Sequence, residues 1–327
     1  MPESSSMVSE ERSELSGTVL DGRYHLGCCI GIGGTGVVFE AWRIVDGLPV
    51  VVKALRPMYA HQGDLLTRLR REGEVATNVH HPGIVPVYDE GTLEDATPYV
   101  VMQRLSSESL ANLLRRRGRL GVRETCAIAV RVADILHAVH RTGYVHRDVK
   151  PEHILLDRTP GGELSVFLID FGICASESAP ADERERERGR VFGTPSYVSP
   201  EQAAGDPEVD GRADVYGLGV TMYECLAGRV PFRAENVTDL LRRIIKEEPL
   251  PLSAFTPSSD PDLDRVVQKA VSRFRDQRYL TARAFGRAMR PLVGERLGVE
   301  RRLASGLRVS GNALPSRLQA VSRVSAA

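Results

Sequence analysis

Several short stretches of the chain hold residue types suited to phosphate chemistry. Gly31, Gly33 and Gly36 stand in GIGGTG and run straight into Val37-Val38-Phe39-Glu40-Ala41-Trp42. Dinucleotide-binding folds use the same glycine spacing, but there a helix opens directly after the glycines so that its N-terminus meets the pyrophosphate. Here a β-branched and aromatic strand follows, which describes a strand-turn-strand flap able to lie over phosphates. The absence of GK[ST] excludes a Walker loop. For the loop by itself, a glycine-rich hairpin without a ligand is the plain alternative. Lys53 closes the run Val50-Val51-Val52-Lys53, and a charge in an otherwise apolar strand requires an anionic partner or a solvated strand end. Glu72, in Leu69-Arg70-Arg71-Glu72, is the best protein candidate for that partner, and nucleotide phosphates are the other. Of the 43 Lys and Arg residues only Lys53, Lys150, Lys246 and Lys269 are lysine. A lysine kept in so arginine-rich a chain invites a chemical reason.

His146-Arg147-Asp148-Val149-Lys150-Pro151-Glu152-His153 follows a long helical pattern, and Ile169-Asp170-Phe171-Gly172 follows a strand-like run from Leu164 to Ile169. Gly193-Thr194-Pro195-Ser196-Tyr197, Ser199-Pro200-Glu201 and Asp214-Val215-Tyr216-Gly217-Leu218-Gly219 come next in order. The whole set resembles the eukaryotic-like Ser/Thr protein kinases of bacteria, across residues 24–292. The resemblance implies that Lys53, oriented by Glu72, holds the α- and β-phosphates of ATP. Asp148 would accept or orient the substrate hydroxyl proton, and Lys150 would offset charge on the γ-phosphate. Asp170 would chelate magnesium, and Arg147 beside Asp148 implies control by an activation segment. Lys150 in this loop implies Ser/Thr rather than Tyr substrates, with Thr194 lining the phosphoacceptor site. Met102 would be the gatekeeper, Gln103 and Leu105 would present the backbone that hydrogen-bonds adenine, and Val38, Val51 and Leu155 would sandwich the ring. Val51 stands where the family commonly has Ala. Glu201 and Arg278 resemble the buried ion pair that anchors the activation segment.

Two positions depart from the family pattern. His153 stands where the family places an asparagine whose amide oxygen ligates a second magnesium. Magnesium prefers oxygen, whereas imidazole nitrogen suits manganese, zinc and other transition metals, so magnesium binding is expected to weaken and Mn2+ becomes an alternative to Mg2+. Packing or hydrogen bonding of His153 within the loop is the other reading. The second departure is the activation segment, which has no threonine between Gly172 and Thr194, only Ser176 and Ser178 near its start, and then ERERERGR. That run reads as an exposed, self-paired strand or helix, and activation by loop phosphorylation is not expected. Arg301-Arg302-Leu303-Ala304-Ser305 and Arg308-Val309-Ser310 have the form of basophilic phosphorylation sites, with a merely disordered Arg/Ser tail as the favoured reading; autophosphorylation is a reaction that the resemblance leaves open.

The elements that must position these residues are legible in the periodicities. Short β-branched runs at Tyr24–Ile30, Val37–Trp42, Pro49–Ala54, Ile84–Tyr88 and Tyr99–Met102 predict a small antiparallel sheet, interrupted by one helix at Asp64–Val79 with Asp64 as its N-cap. From Ser109 the period becomes helical, with Ile128, Val132, Ile135 and Val139 on one face before Gly143 stops the helix. Further helices are expected at Arg212–Ala227, Asn236–Lys246 and Pro261–Arg273. The expected fold class is α+β, the bilobal protein-kinase fold, with an N-lobe at 24–104 and a larger, mainly helical C-lobe at 105–292. Residues 1–20 and 296–327 read as flexible tails.

The composition agrees with a globular enzyme. A formal net charge of zero gives no global drive toward nucleic acid or anionic membrane. The five cysteines show no CxxC or zinc-ligand spacing, and they read as reduced cytoplasmic thiols. No apolar span or signal peptide is visible, so a soluble cytoplasmic protein is expected. Its partners would be ATP and proteins offering Ser/Thr hydroxyls. The rival reading is a pseudokinase or a weakly active nucleotide-binding scaffold, prompted by His153.

Overall fold

Alternation along the strands builds the first lobe. In β1 (Val19–Leu20), β2 (Tyr24–Ile32), β3 (Gly36–Arg43), β4 (Pro49–Leu55), β5 (Val87–Thr92) and β6 (Pro98–Gln103), successive side chains point to opposite faces of one antiparallel sheet of order β1-β2-β3-β4-β6-β5. Leu26, Val37, Phe39, Ala41, Val50, Val52, Ala54, Tyr99 and Val101 share one face and close a core of their own. Each Val, Leu or Phe among them contributes roughly 1.5–3 kcal/mol when fully buried. The other face is the one that matters for chemistry. Register pairs Val38 with Lys53 and Val51 with Met102, and directly opposed residues lie on the same face. Lys53 therefore stands among Val38, Val51 and Met102, opposite the core. Gly36 begins β3 against β4, and a Cβ there would lie 2.8 Å from the Ala54 carbonyl oxygen, so only glycine permits that approach.

The computed structural model describes residues 15–32, 36–55, 73–93, 97–158, 163–171, 174–176, 185, 187–256 and 260–293. Gly33, Glu72, Gly172, Ser178, Asp64 and residues 296–327 lie outside them. Residues 73–78 are helical, the C-terminal part of the helix expected at Asp64–Val79.

Two expectations for this lobe are corrected. Val19 and Leu20, read as part of a flexible tail, form β1 against His25 and Tyr24, and Leu20 is buried. The run Ile84–Tyr88 is not one strand. Ile84 instead makes a parallel bridge to Leu168, whose N–H donates to the Gly83 carbonyl at 2.9 Å, and β5 starts only at Val87. An apolar β-branched run fits either partner. What decides is that Ile84 belongs to the core of the second lobe.

That second lobe is organised by the helix Val122–Arg141, about 30 Å long at 1.5 Å per residue. Its Ile128, Val132, Ile135 and Val139 are all buried. Thr142 caps it, and Gly143 turns the chain away with a φ of +79°. The helices Arg212–Ala227, Val237–Lys246 and Pro261–Ala270 follow. The last is shorter than the expected Pro261–Arg273, because Arg278 draws the carbonyls of Ser272 and Arg273 out of the helical pattern, at 2.8 and 3.1 Å. Between helices, β8 (Tyr144–Val145) pairs with β11 (Ala175–Ser176), and the hairpin of β9 (Ile154–Arg158) and β10 (Leu164–Leu168) is joined by β7 (Glu108–Ser109). These pairings bring the segments containing Asp148 and Asp170 side by side. The architecture is the bilobal α+β fold.

Candidate active site

A line of polar contacts runs from the sheet of the first lobe into the loops of the second. Lys53 Nζ lies 3.0 Å from Asp170 Oδ1, and Asp170 Oδ2 lies 3.2 Å from His153 Nε2. On its other side His153 Nδ1 donates to the Asp148 carbonyl oxygen at 2.9 Å and stands 3.5 Å from Asp148 Oδ2. Lys150 Nζ then donates to Asp148 Oδ2 at 2.8 Å and to Thr194 Oγ1 at 2.6 Å, while the Thr194 N–H donates to Asp148 Oδ1 at 2.8 Å. Lys53, Asp170, His153, Asp148, Lys150 and Thr194 are thus brought together, although they come from four separate stretches of sequence.

The charges in this line stabilise one another. Burial opposes ionisation of Asp148, but His153, Lys150 and Thr194 outweigh it and hold the carboxyl below its usual range. Asp170 opens into the cleft, its side chain 41% exposed. There too the desolvation penalty is overcome, by Lys53 and by the bond with His153, and the carboxyl sits well below the usual carboxylate range. Both groups are anionic at neutral pH.

The loops holding these carboxylates are set by residues beneath them. Asp214, near the start of the helix Arg212–Ala227, is fully buried and accepts the His146 N–H on Oδ2 and the Arg147 N–H on Oδ1, each at 2.8 Å. Burial works against its charge, yet His140, whose Nε2 is 2.7 Å from Oδ2, keeps its carboxyl low. His146 is buried edge-on to Phe171, with ring centroids 4.9 Å apart. Burial pushes its imidazole down, and the neutral ring has a defined tautomer: Nε2–H donates to the Ile169 carbonyl at 3.2 Å and Nδ1 accepts the Asp148 N–H at 3.2 Å. His146 therefore ties the loop of Asp148 to that of Asp170. Arg147 and Asp170 both have a φ of +67°. A side-chain-bearing residue in this left-handed region costs about 1–3 kcal/mol and persists only when its surroundings over-determine it.

The remaining expected site residues divide into three groups. Val38, Val51 and Met102 are half-buried on the cleft face of the sheet, and Leu155 is half-buried on β9, opposite Ser109 and Phe167. Gln103 ends β6 with its N–H engaged by the Pro86 carbonyl at 3.0 Å, so its carbonyl is the group that can meet a base, and Leu105 follows half-buried. Gly31 and Gly36 flank the turn whose middle, with Gly33, lies outside the described residues, as does Glu72. Sequence reasoning missed the ion pair between Arg104 and Glu40 at 2.8 Å, which joins the start of the linker to β3. It also missed the tasks of Asp214 and His146, for which the only signal was position inside a motif.

A divalent ion between the carboxylate and the imidazole fits this geometry. Two cis ligands of an octahedral ion, each at about 2.1 Å, stand about 3.0 Å apart, close to the 3.2 Å separating Asp170 Oδ2 from His153 Nε2. Nδ1 carries the hydrogen given to the Asp148 carbonyl, so Nε2 meets the carboxylate either through a proton or through a metal ion that takes the proton's place. Among the described residues no cluster of three or more His, Cys, Asp or Glu is arranged to hold a metal. Asp170 and His153 are the two donors that face each other here, and an ion between them would draw its remaining ligands from water and phosphate oxygens.

The profile of the protein kinase domain family matches residues 24–283. A probable serine/threonine-protein kinase of Corynebacterium efficiens is 36% identical over 271 residues, which cover 81% of this chain and 40% of that protein. Serine/threonine-protein kinase PknB of Mycobacterium tuberculosis is 36% identical over 266 residues, 80% of this chain and 42% of its own length. The chain therefore spans about two fifths of the length of these curated relatives. Among solved structures, the Mycobacterium tuberculosis PknI kinase domain is 29% identical, with a TM-score of 0.65 over 85% of this chain and 98% of that one. Among the described residues no helix is long and apolar enough to cross a membrane. With the profile matched across both lobes, and with relatives alike in sequence and in fold, the chain belongs to the protein kinase domain family, among the eukaryotic-like (Hanks-type) serine/threonine kinases of bacteria, a family that works with ATP and a divalent metal ion.

Proposed function

We propose that this chain transfers the γ-phosphate of ATP to serine and threonine hydroxyls of proteins in the cytoplasm, where ATP is available, itself among the acceptors. The observation that carries the reading is the unbroken line of contacts from Lys53 through Asp170, His153 and Asp148 to Lys150 and Thr194. Phosphoryl transfer needs positioned charge more than covalent help, and this line sets the carboxylates of Asp170 and Asp148 between the ammonium groups of Lys53 and Lys150. Val38, Val51, Met102 and Leu155 hold the base, and the backbone of Gln103 and Leu105 orients it. Lys53 moves from Asp170 onto the α- and β-phosphates under the flap that carries Gly31, Gly33 and Gly36, with Glu72 as its orienting carboxylate. Asp170 and His153 would hold the divalent ion, which would supply positive charge at the phosphate oxygens. Asp148 orients the acceptor hydroxyl and takes its proton as the oxygen attacks phosphorus and the bond to the β-phosphate oxygen breaks. Lys150 faces the charge that develops on the transferred group. Incubation with γ-labelled ATP and a Ser/Thr-rich acceptor protein, followed by acid hydrolysis, should yield labelled phosphoserine and phosphothreonine. Label confined to phosphotyrosine, or none, would contradict the reading.

We also assign the metal preference to His153. An imidazole nitrogen beside a carboxylate favours Mn2+ over Mg2+, so transfer should be faster in Mn2+. Substituting His153→Asn supplies an amide oxygen in its place and should raise magnesium-supported turnover by about tenfold, the lower end of what a changed metal environment does. Turnover measured in each metal checks this. An unchanged ratio of manganese to magnesium rates in the variant would remove His153 from the metal site.

A further inference from the structure

The run Glu183 to Arg190 reads in sequence as a solvated surface, and Glu185 and Arg188 behave so, pairing with each other at 2.5 Å while both stay about 60% exposed. Glu187 does not. Its Oε2 accepts a hydrogen bond from Arg147 Nη1 at 2.6 Å, across 40 positions of sequence, and the two side chains are only 20% and 4% exposed. A guanidinium so buried needs an anion, since removing one partner of a buried pair leaves an uncompensated charge. Among the described residues, Glu187 is the carboxylate that meets it. The ring of Phe192 lies against the guanidinium groups of both Arg147 and Arg190, with the charge centres 5.8 and 5.2 Å from its centroid. A small pocket of about 10 Å³ remains beside the pair, lined by Arg147, Glu187, Arg190, Phe192, Gln202 and Asp206.

Arg147 is also joined rigidly to the reacting group. It immediately precedes Asp148, and its strained backbone is held at three points: the N–H donates to Asp214, the carbonyl accepts from Gln202 Nε2 at 2.9 Å, and Gly193 lies so close that a Cβ there would stand 2.8 Å from that carbonyl. One residue beyond Gly193, the Thr194 N–H holds Asp148 Oδ1. The same short segment therefore touches Arg147 at its start and Asp148 at its end. Residues 179–193 contain no Ser, Thr or Tyr, so this part of the sequence offers no hydroxyl for a phosphate, and the described residues 187–193 next to Arg147 meet it with a carboxylate instead.

We propose that Glu187 is a positioning residue for phosphoryl transfer, a carboxylate built into the segment that neutralises Arg147 and keeps the segment seated on Asp148 without any modification. The effect on turnover rests on the kinase reading above, whereas the seating of the segment does not, and the two are measured separately. In Glu187→Gln, kcat should fall about a hundredfold, the cost of misplacing a reacting group by about an ångström, while KM for ATP stays within about twofold. Glu187→Asp should recover part of that loss, and Glu185→Gln, on the exposed pair, should match wild type. Independently of activity, trypsin should cut after Arg188 and Arg190 about ten times faster in Glu187→Gln than in Glu185→Gln at equal melting temperature, because the lost ion pair unseats the segment. Equal kcat and equal cleavage in the two variants would overturn the proposal. A loss of kcat that tracks a lowered melting temperature and is not relieved by Glu187→Asp would overturn it as well, by making the residue merely structural. If wild type transfers no phosphate at all, the kinase reading fails and cleavage alone decides the seating.

Discussion

Replacing Asp148 with asparagine should lower kcat by about a thousandfold, within the range that a positioned proton acceptor contributes, and leave ATP binding close to wild type. The substitution keeps shape and one oxygen, so the Thr194 N–H can retain its acceptor. It removes the charge that Lys150 and His153 face at 2.8 and 3.5 Å, and with it the group able to take the hydroxyl proton. Because the carboxyl lies below its usual range, wild type has the acceptor form at neutral pH without any help from substrate. Steady-state rates with labelled ATP, together with a separate nucleotide-binding titration, distinguish the two effects. A variant retaining a third of wild-type turnover would mean that Asp148 does not serve the reaction.

The second large effect concerns stability. Glu201, in the short helix Pro200–Ala203, meets Arg278 through two parallel bonds of 2.7 Å, with 9% of the carboxylate side chain and none of the guanidinium side chain exposed. Arg278 also donates to the carbonyls of Ser272, Arg273 and Arg212 and stacks at 4.9 Å on Tyr216. Every polar group is answered, so the pair is costly to break from one side. Glu201→Gln should destabilise by about 3–5 kcal/mol because it leaves the guanidinium charge buried without its partner, which for a fold of this size lowers Tm by about 10 °C. The double change Glu201→Leu with Arg278→Met should restore much of that loss, since no charge is left stranded. Thermal denaturation followed by circular dichroism reads both. A drop of under 2 °C in Glu201→Gln would show the pair to be of little weight.

The contrast between these two sites and Glu187 shows what a sequence can carry. Strand and helix positions followed from periodicity because burial acts on neighbours at spacings of two or of three to four residues, as at Val50–Lys53 and Ile128–Val139. The line of site residues was legible because each sits in a short motif of uncommon composition. The partner of a side chain is a different matter. Nothing local separates Glu185, which faces solvent, from Glu187, which faces a buried arginine 40 positions away. That difference arises from where the fold puts Arg147. Ile84 fails for the same reason, since its side chain asks for an apolar neighbour without naming β10 of the second lobe. Asp214 stands in a recognisable motif, yet its task of holding two backbone N–H groups 67 and 68 positions away appears only in three dimensions. His153 lies between these cases. Its departure from the family pattern is plain in sequence, but its two-sided bonding to Asp148 and Asp170 is not.

The proposed convergence of Lys53, Asp170 and Asp148 on one reacting phosphate is tested most directly by single-turnover transfer of labelled γ-phosphate from ATP in Mn2+, comparing wild type with Asp170→Asn at enzyme concentrations above that of ATP. The reading expects rapid labelling of protein Ser/Thr by wild type and a rate at least about a thousandfold slower in the variant, the scale set by loss of electrostatic stabilisation at the transferred group. Equal rates in the two proteins would contradict it.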